Sequence, residues 1–222
     1  MLKLNTGVFI ADKNLYNSTV ELLSDSYLNA KNVLETALSK SDIIYVNQDD
    51  NIVTSIALCK CIRLQEFDSY KMVYIGMTAA RKASKKGMAY QLVIQLLRDN
   101  FATIEENENL YAISTISTPF TYNYYKRFTK ELYPTCDGFI PSAYETLFQS
   151  ICHDVLYRKD LNNPQWLFKR HTQTRYNEEE LNKINTYLNK NFYYLFDKEH
   201  FDLTIGDRVA VLGLVDRNII NV

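Results

Sequence analysis

KMVYIGMTAARKASKKGMAYQLVIQLLRDN, residues 71–100, decides how this chain is read. Met72 to Thr78 is apolar and β-prone, the composition of a strand. Ala79 to Lys86 carries Arg81, Lys82, Lys85 and Lys86. From Gly87 the period changes. Met88, Ala89, Leu92, Val93, Leu96 and Leu97 recur at helical spacing, while Gln91, Gln95, Arg98 and Asp99 are left to face water. The segment predicts a strand, a basic glycine-bearing loop and an amphipathic helix. No Asp or Glu stands between Asp68 and Asp99. Backbone N–H groups at a helix start lack partners and carry partial positive charge, so they attract phosphate. A glycine there lets the backbone approach a ligand closely. The stretch suits a polyphosphate, and the alternative is a basic loop that is only solvated. The flanking elements decide between the two.

On the N-terminal side, Leu4 to Ala11 reads as a first strand. Asp12 or Asn14 caps a helix running to about Asn29, and Lys31 to Lys40 is a second, shorter helix. Ile43 to Asn47 is a strand, and residues 48–51 form a turn of side chains that bond their own backbone. Ile52 to Leu64 is a long strand, apolar on both faces and therefore expected to be central. Glu66 to Tyr70 turns back into the Met72 strand, which makes an antiparallel meander.

On the C-terminal side, the helix ends near Asn100 to Thr103, and Leu110 to Thr118 is a strand. Strand, helix and strand over this distance form a βαβ unit, so the 72–78 and 110–117 strands are expected to be parallel neighbours. Pro119 opens a helix to about Leu132. Pro141 to Leu156 reads as a further helix and Trp166 to Arg175 as a strand. Asn177, followed by three glutamates, starts a helix with Leu181, Ile184, Leu188, Phe192 and Leu195 inward. Arg208 to Val215 closes as a strand. With no repeat and no linker, the 222 residues read as one domain.

Composition excludes several classes. A net charge of −1 does not favour nucleic-acid binding, so any attraction to anions must be local. No apolar run approaches the roughly 20 residues needed to span a bilayer. Cys59, Cys61, Cys136 and Cys152 lack zinc-site spacing, and no metal is expected. Sparse cysteines and no signal peptide point to a reducing cytoplasm. His153, His171 and His200 are scattered and read as structural or surface residues.

The order of elements resembles the GNAT superfamily of acetyl-CoA-dependent N-acyltransferases, over about residues 4–132, with a decorated part at about 133–222. That fold runs strand, two helices, three antiparallel strands, helix, strand, helix and closing strands. The resemblance implies an α/β fold with helices on both faces of a central splayed sheet. The family's pyrophosphate loop, Arg/Gln-x-x-Gly-x-Gly/Ala, is matched by Ser84-Lys85-Lys86-Gly87-Met88-Ala89. Gly87 and Ala89 fit, and Ser84 departs from the pattern.

Several roles follow from the resemblance. Backbone amides from about Lys85 through Gly87 and Met88 to Ala89 would hold the coenzyme A pyrophosphate. Met77, Thr78 and Ala79 would pair through backbone with the pantetheine arm, and Arg81, Lys82, Lys85 and Lys86 would make outer phosphate contacts. Thr118 falls at the family's Asn position near the start of the next helix. Tyr125 falls at the position of the Tyr that returns a proton to the departing thiolate, with Tyr124 as the neighbouring alternative. A phenol is protonated at neutral pH and can act as general acid. No general base is evident. Glu66, Asp68 and a water held by Ser114 or Ser117 are the candidates, and direct attack by a neutral amine would need none.

The expected activity is transfer of an acetyl group from acetyl-CoA, as co-substrate, to a primary amine on a small molecule or peptide. The resemblance also allows a homodimer. Two other readings keep the fold. One is transfer from a longer acyl-CoA or acyl carrier protein; the other is a non-catalytic coenzyme-binding sensor. Tyr16, Tyr27, Phe139, Tyr144, Trp166 and Phe168 are candidates for the acceptor pocket.

Overall fold

Asn5 divides the first apolar run of the chain. Its side-chain oxygen accepts a hydrogen bond from the Val8 N–H at 2.8 Å, so strand β1 (Leu2–Asn5) stops and helix α1 (Thr6–Ala11) begins. This cap corrects the expectation of one strand over Leu4–Ala11. The helix buries Phe9 and leaves Val8 and Ile10 exposed. The computed structural model describes residues 1–64, 67, 70–84, 87–105, 108–158, 163–191 and 193–220. The fold is mixed α/β, and through α5 its elements follow the order that the resemblance implies, except that three helices and not two separate the first strand from the second. Contacts divide the chain into one unit of residues 1–110 with 216–222 and another of residues 111–215.

In the first unit, helices α2 (Lys13–Ser24) and α3 (Ala30–Leu38) precede strands β2 (Ile43–Asp49), β3 (Ile52–Ile62) and β4 (Tyr70–Ala80). The Asp12 carboxylate opens α2 by accepting from the N–H groups of Asn14 (3.0 Å) and Leu15 (3.1 Å). The strands pair antiparallel in the order β1-β2-β3-β4. Phe9, Leu22, Leu34 and Leu38 from the three helices bury Ile44, Val46, Ile56, Leu58 and Met77. Each such side chain contributes about 1.5–3 kcal/mol. As expected, β3 is apolar on both faces and lies between two partners.

The amphipathic helix α4 (Met88–Phe101) buries Leu92, Val93, Leu96 and Leu97. Tyr45 points to the opposite side of β2 from Ile44 and Val46, and its phenol donates to Asp99 of α4 at 2.7 Å. Lys3 (2.8 Å) and Gln95 (2.7 Å) donate to the same carboxylate. A final helical turn, Arg217–Ile220, returns to this unit, where the Ile220 carbonyl accepts from Arg98 Nε.

The second unit is built on strand β5 (Asn109–Ile116), whose first two residues belong to the other unit, helix α5 (Pro119–Tyr125), strand β6 (Thr129–Tyr133) and helix α6 (Ser142–Ser150). Helix α6 continues as a π-helical turn, Ile151–Val155. Strand β7 (Leu167–Phe168), helix α7 (Glu178–Lys190) and strand β8 (Arg208–Val215) follow. Strand β8 pairs antiparallel with β5, β6 and β7, which is why its apolar run is buried along almost its whole length.

Three expectations are corrected here. The helix expected over Pro119–Leu132 stops at Tyr125, because Thr129 to Tyr133 pairs with β8. The strand expected over Trp166–Arg175 shrinks to two residues. Arg170 takes φ 49° and turns the chain, and Asp207, fully buried, collects the Lys169 ammonium (2.8 Å) and the Arg170 N–H (2.9 Å). Helix α7 begins at its Asn177 cap as expected but buries only Ile184; Leu181 and Leu188 are half-buried, and Phe192 lies outside the described residues.

Candidate functional site

Strand β4 and helix α4 lie where the sequence predicts a strand and a helix. Met77 is buried opposite Leu58, while Thr78 and Ala79 stand half-buried opposite Ala57 and Ile56. The chain leaves β4 through Arg81, whose N–H donates to the Thr54 carbonyl at 2.9 Å. The Arg81 guanidinium does not reach outward. It donates to the Val53 carbonyl (2.8 Å) and the Ser18 carbonyl (3.2 Å), so its charge braces the loop against α2 and β3. The Lys82 N–H donates to Asp25 at 3.3 Å, and Ser84 Oγ donates to the Thr54 carbonyl at 3.3 Å. Lys85 and Lys86 lie outside the described residues.

Gly87 sits at the N-cap of α4 with φ 92° and ψ 1°, the left-handed region that side chains other than glycine rarely adopt. A Cβ placed there would meet no described atom within 4 Å. Glycine is therefore required by the sign of φ, and among the described residues nothing crowds it. The N-cap glycine brings no side chain to cap the helix, and its first turn, which includes Met88 and Ala89, contains no acidic residue. A negatively charged group at this end would meet no carboxylate from the helix itself.

In the other unit, Thr118 is the N-cap of α5, its Oγ1 accepting from the Thr121 N–H at 3.3 Å, and it is buried. Tyr125 ends α5 at 2 % exposure, with ring centroids 5.1 Å from Phe128 and 6.5 Å from Tyr124. Tyr124 is half-buried. Of the base candidates, Glu66 and Asp68 lie outside the described residues. Ser114 is buried, and Ser117 shares a hydrogen bond with the Tyr176 phenol.

The aromatic candidates separate. Tyr16 lines a pocket among the N-terminal helices, and Tyr27 packs on their core. Tyr144 donates to Glu131 at 2.6 Å, and burial together with that carboxylate pushes its phenol above the ordinary tyrosine range. Trp166 and Phe168 are buried, and Phe139 is exposed. His153 lies exposed beside Asp154, while His171 and His200 pack edge-on against Phe168 and Trp166. Among the described residues, no three His, Cys, Asp or Glu side chains gather as a metal site, and no helix is long and apolar enough to cross a membrane.

Sequence reasoning did not foresee the clasp on α5. Asn123 donates to the phenol oxygens of Tyr187 (2.9 Å) and Tyr193 (2.8 Å). Asn123 is half-buried, and an Asn within a helix carries no signal of a partner so distant in sequence.

Neither protein-family models nor curated protein sequences match the chain. Solved structures do resemble it. An aminoglycoside acetyltransferase from an uncultured soil metagenomic sample is 15 % identical, with a TM-score of 0.42 over 63 % of this chain and 95 % of the other. The NatC complex bound to Gag peptide and CoA matches at 18 % identity and a TM-score of 0.35, over 56 % of this chain and 80 % of the other. An N-acetyltransferase from Staphylococcus aureus Mu50 matches at 16 % identity and a TM-score of 0.34, over 59 % and 85 % of the two chains.

Proposed function

We propose that this chain is a GNAT-type acyltransferase that moves an acetyl group from acetyl-CoA to a primary amine. The observation that carries the reading is the β4–α4 junction. A left-handed glycine, with no described atom within 4 Å of where its Cβ would stand, starts a helix of 14 residues whose first turn carries no acid, one basic loop after strand β4. The amides of Gly87 and Met88 would hold the coenzyme diphosphate, as helix starts hold anions generally. Thr78 and Ala79 would align the pantetheine arm. The coenzyme supplies an acetyl group activated as a thioester.

The chain's own contribution is positioning and proton management. A neutral amine would form the new N–C bond as the C–S bond breaks. Tyr125 would supply the proton taken up by the departing sulfur, and the amine's surplus proton would pass to solvent. Amino acids, polyamines, protein N-termini and aminoglycosides all present the required amine.

One observation favours a second reading. Tyr125 is 2 % exposed, which suits a packing residue in a coenzyme-binding module without turnover. Calorimetry with CoA and acetyl-CoA, run beside thiol release across an amine panel, separates the two. Binding with turnover that falls in Tyr125→Phe supports the transferase with Tyr125 as its acid. Binding without turnover supports the module. Absence of any heat with either ligand overturns both.

A further inference from the structure

Helices α2 and α3 run beside each other with a groove between them, bounded by α1. It encloses about 690 Å³, within the range of roughly 300–1,000 Å³ typical of small-molecule sites. None of its described lining residues belongs to β4 or to residues 81–84 and 87, so on the described residues it is separate from the coenzyme site proposed above.

Its walls combine two chemistries. Ile10, the ring of Tyr16 and Leu38 are apolar. Leu38 is buried, and Tyr16 is held by its ring contact with Phe9 at 6.4 Å between centroids. Ile10 is 51 % exposed and lines the groove, so it presents an apolar surface there. The charged residues are Lys13, Lys31 and Glu35. Glu35 accepts from the Tyr16 phenol at 3.2 Å and stands 3.8 Å from the Lys31 ammonium. Burial, together with that carboxylate, pushes the Tyr16 phenol upward, so it stays a donor to Glu35 at neutral pH. Lys31 answers Glu35, and Lys13 remains as a surplus positive charge beside an apolar wall. The aliphatic stems of both lysines extend that wall.

We propose that this groove binds a small amphipathic monoanion, an alkyl or aryl carboxylate whose apolar body lies against Ile10, Tyr16 and Leu38 and whose charge meets Lys13. An amine of the same shape would face two ammonium groups and a single carboxylate, Glu35, already engaged by Tyr16 and Lys31, and a neutral alcohol would leave Lys13 unanswered. The inference stands whether or not the chain transfers acetyl groups, because it uses none of the residues assigned to that reaction.

The probes are octanoate, 1-octanol and octylamine, titrated into the full chain by calorimetry and followed by amide chemical shifts. Octanoate is expected to bind saturably and to shift resonances of α2 and α3. The alcohol and the amine are expected to bind about tenfold more weakly, the scale of one charge-assisted contact. Lys13→Gln and Ile10→Asp, each checked for native circular dichroism, should weaken octanoate by a similar factor, while Lys60→Gln, at an exposed lysine of β3, should not. Equal affinity for all three probes, loss in Lys60→Gln equal to that in Lys13→Gln, or no saturable binding of octanoate would each overturn the proposal. Because CoA titration of the same variants reads the other site, failure here is distinguishable from failure of the transferase reading.

Discussion

Asn123 and Tyr193 bond each other twice: Asn123 Nδ2 donates to the Tyr193 phenol at 2.8 Å, and that phenol donates back to Asn123 Oδ1 at 3.1 Å. Tyr187 takes the second amide proton at 2.9 Å and packs its ring 4.6 Å from Phe120. The outer face of α5 is thereby fastened to α7 and the segment after it. Asn123→Ala leaves two half-buried phenols without their donor and should cost about 1–3 kcal/mol. Tyr193→Phe, which loses one reciprocal pair, should cost less. Urea midpoints of both variants check this, and an unchanged midpoint in Asn123→Ala would show that the clasp contributes nothing. On the transferase reading, the same variant should lower kcat while leaving the acetyl-CoA KM nearly unchanged, because α5 carries Tyr125 and not the phosphate loop.

Asp99 gives a pH prediction. Burial alone would raise its pKa, but hydrogen bonds from Lys3, Tyr45 and Gln95 outweigh it and hold the carboxyl below the ordinary range. A depressed folded pKa contributes stability that is present above the unfolded value, about 3.9, and lost as pH falls through the folded one. Asp99→Asn should therefore be less stable than the parent near neutrality, and the gap should narrow below about pH 4. Thermal midpoints across that range test it. A gap independent of pH would mean that the charge of Asp99 is not what β2 and α4 use.

The thiols divide by burial. Cys59 and Cys152 are buried, Cys61 and Cys136 exposed. Burial pushes the Cys152 thiol up to about 12 and raises Cys59 as well, so neither forms thiolate at neutral pH. A thiol reagent should modify Cys61 and Cys136 in the native protein and all four cysteines after denaturation. Native labelling of Cys59 would contradict the packing of β3 between β2 and β4.

How much of this was legible depended on the range of the cause. Helix α4 could be read because its stripe from Leu92 to Leu97 is periodic and its start is marked by a glycine. Strand β8 could be read because its run is apolar and bounded. Leu4–Ala11 was misread because a short apolar run suits strand or helix alike, and a single Asn5 cap tips the balance. Arg81 shared a segment with three lysines, yet the carbonyls that claim it, at Ser18 and Val53, are far away in sequence. The Asn123 clasp was invisible for the same reason. Local chemistry, such as the glycine at 87, is written in the sequence. Which of several cations turns inward is settled by packing.

Gly87 and Gly206 make the sharpest paired prediction, since both take positive φ, at 92° and 90°, but for different surroundings. A Cβ on Gly206 would stand 1.8 Å from the Thr172 carbonyl oxygen, whereas one on Gly87 meets no described atom within 4 Å. Gly87→Ala should cost only the left-handed strain, about 1–2 kcal/mol. Gly206→Ala adds to that strain the displacement of a backbone carbonyl. The expected order of thermal midpoints is parent, Gly87→Ala, Gly206→Ala. In Gly87→Ala the new methyl group projects into the space assigned to the coenzyme diphosphate, so CoA affinity should fall by about tenfold or more, the loss of roughly one well-made anion contact. A Gly87→Ala protein that folds and binds CoA unchanged would remove the phosphate role from this loop, because the methyl group would then occupy the assigned space without displacing the ligand.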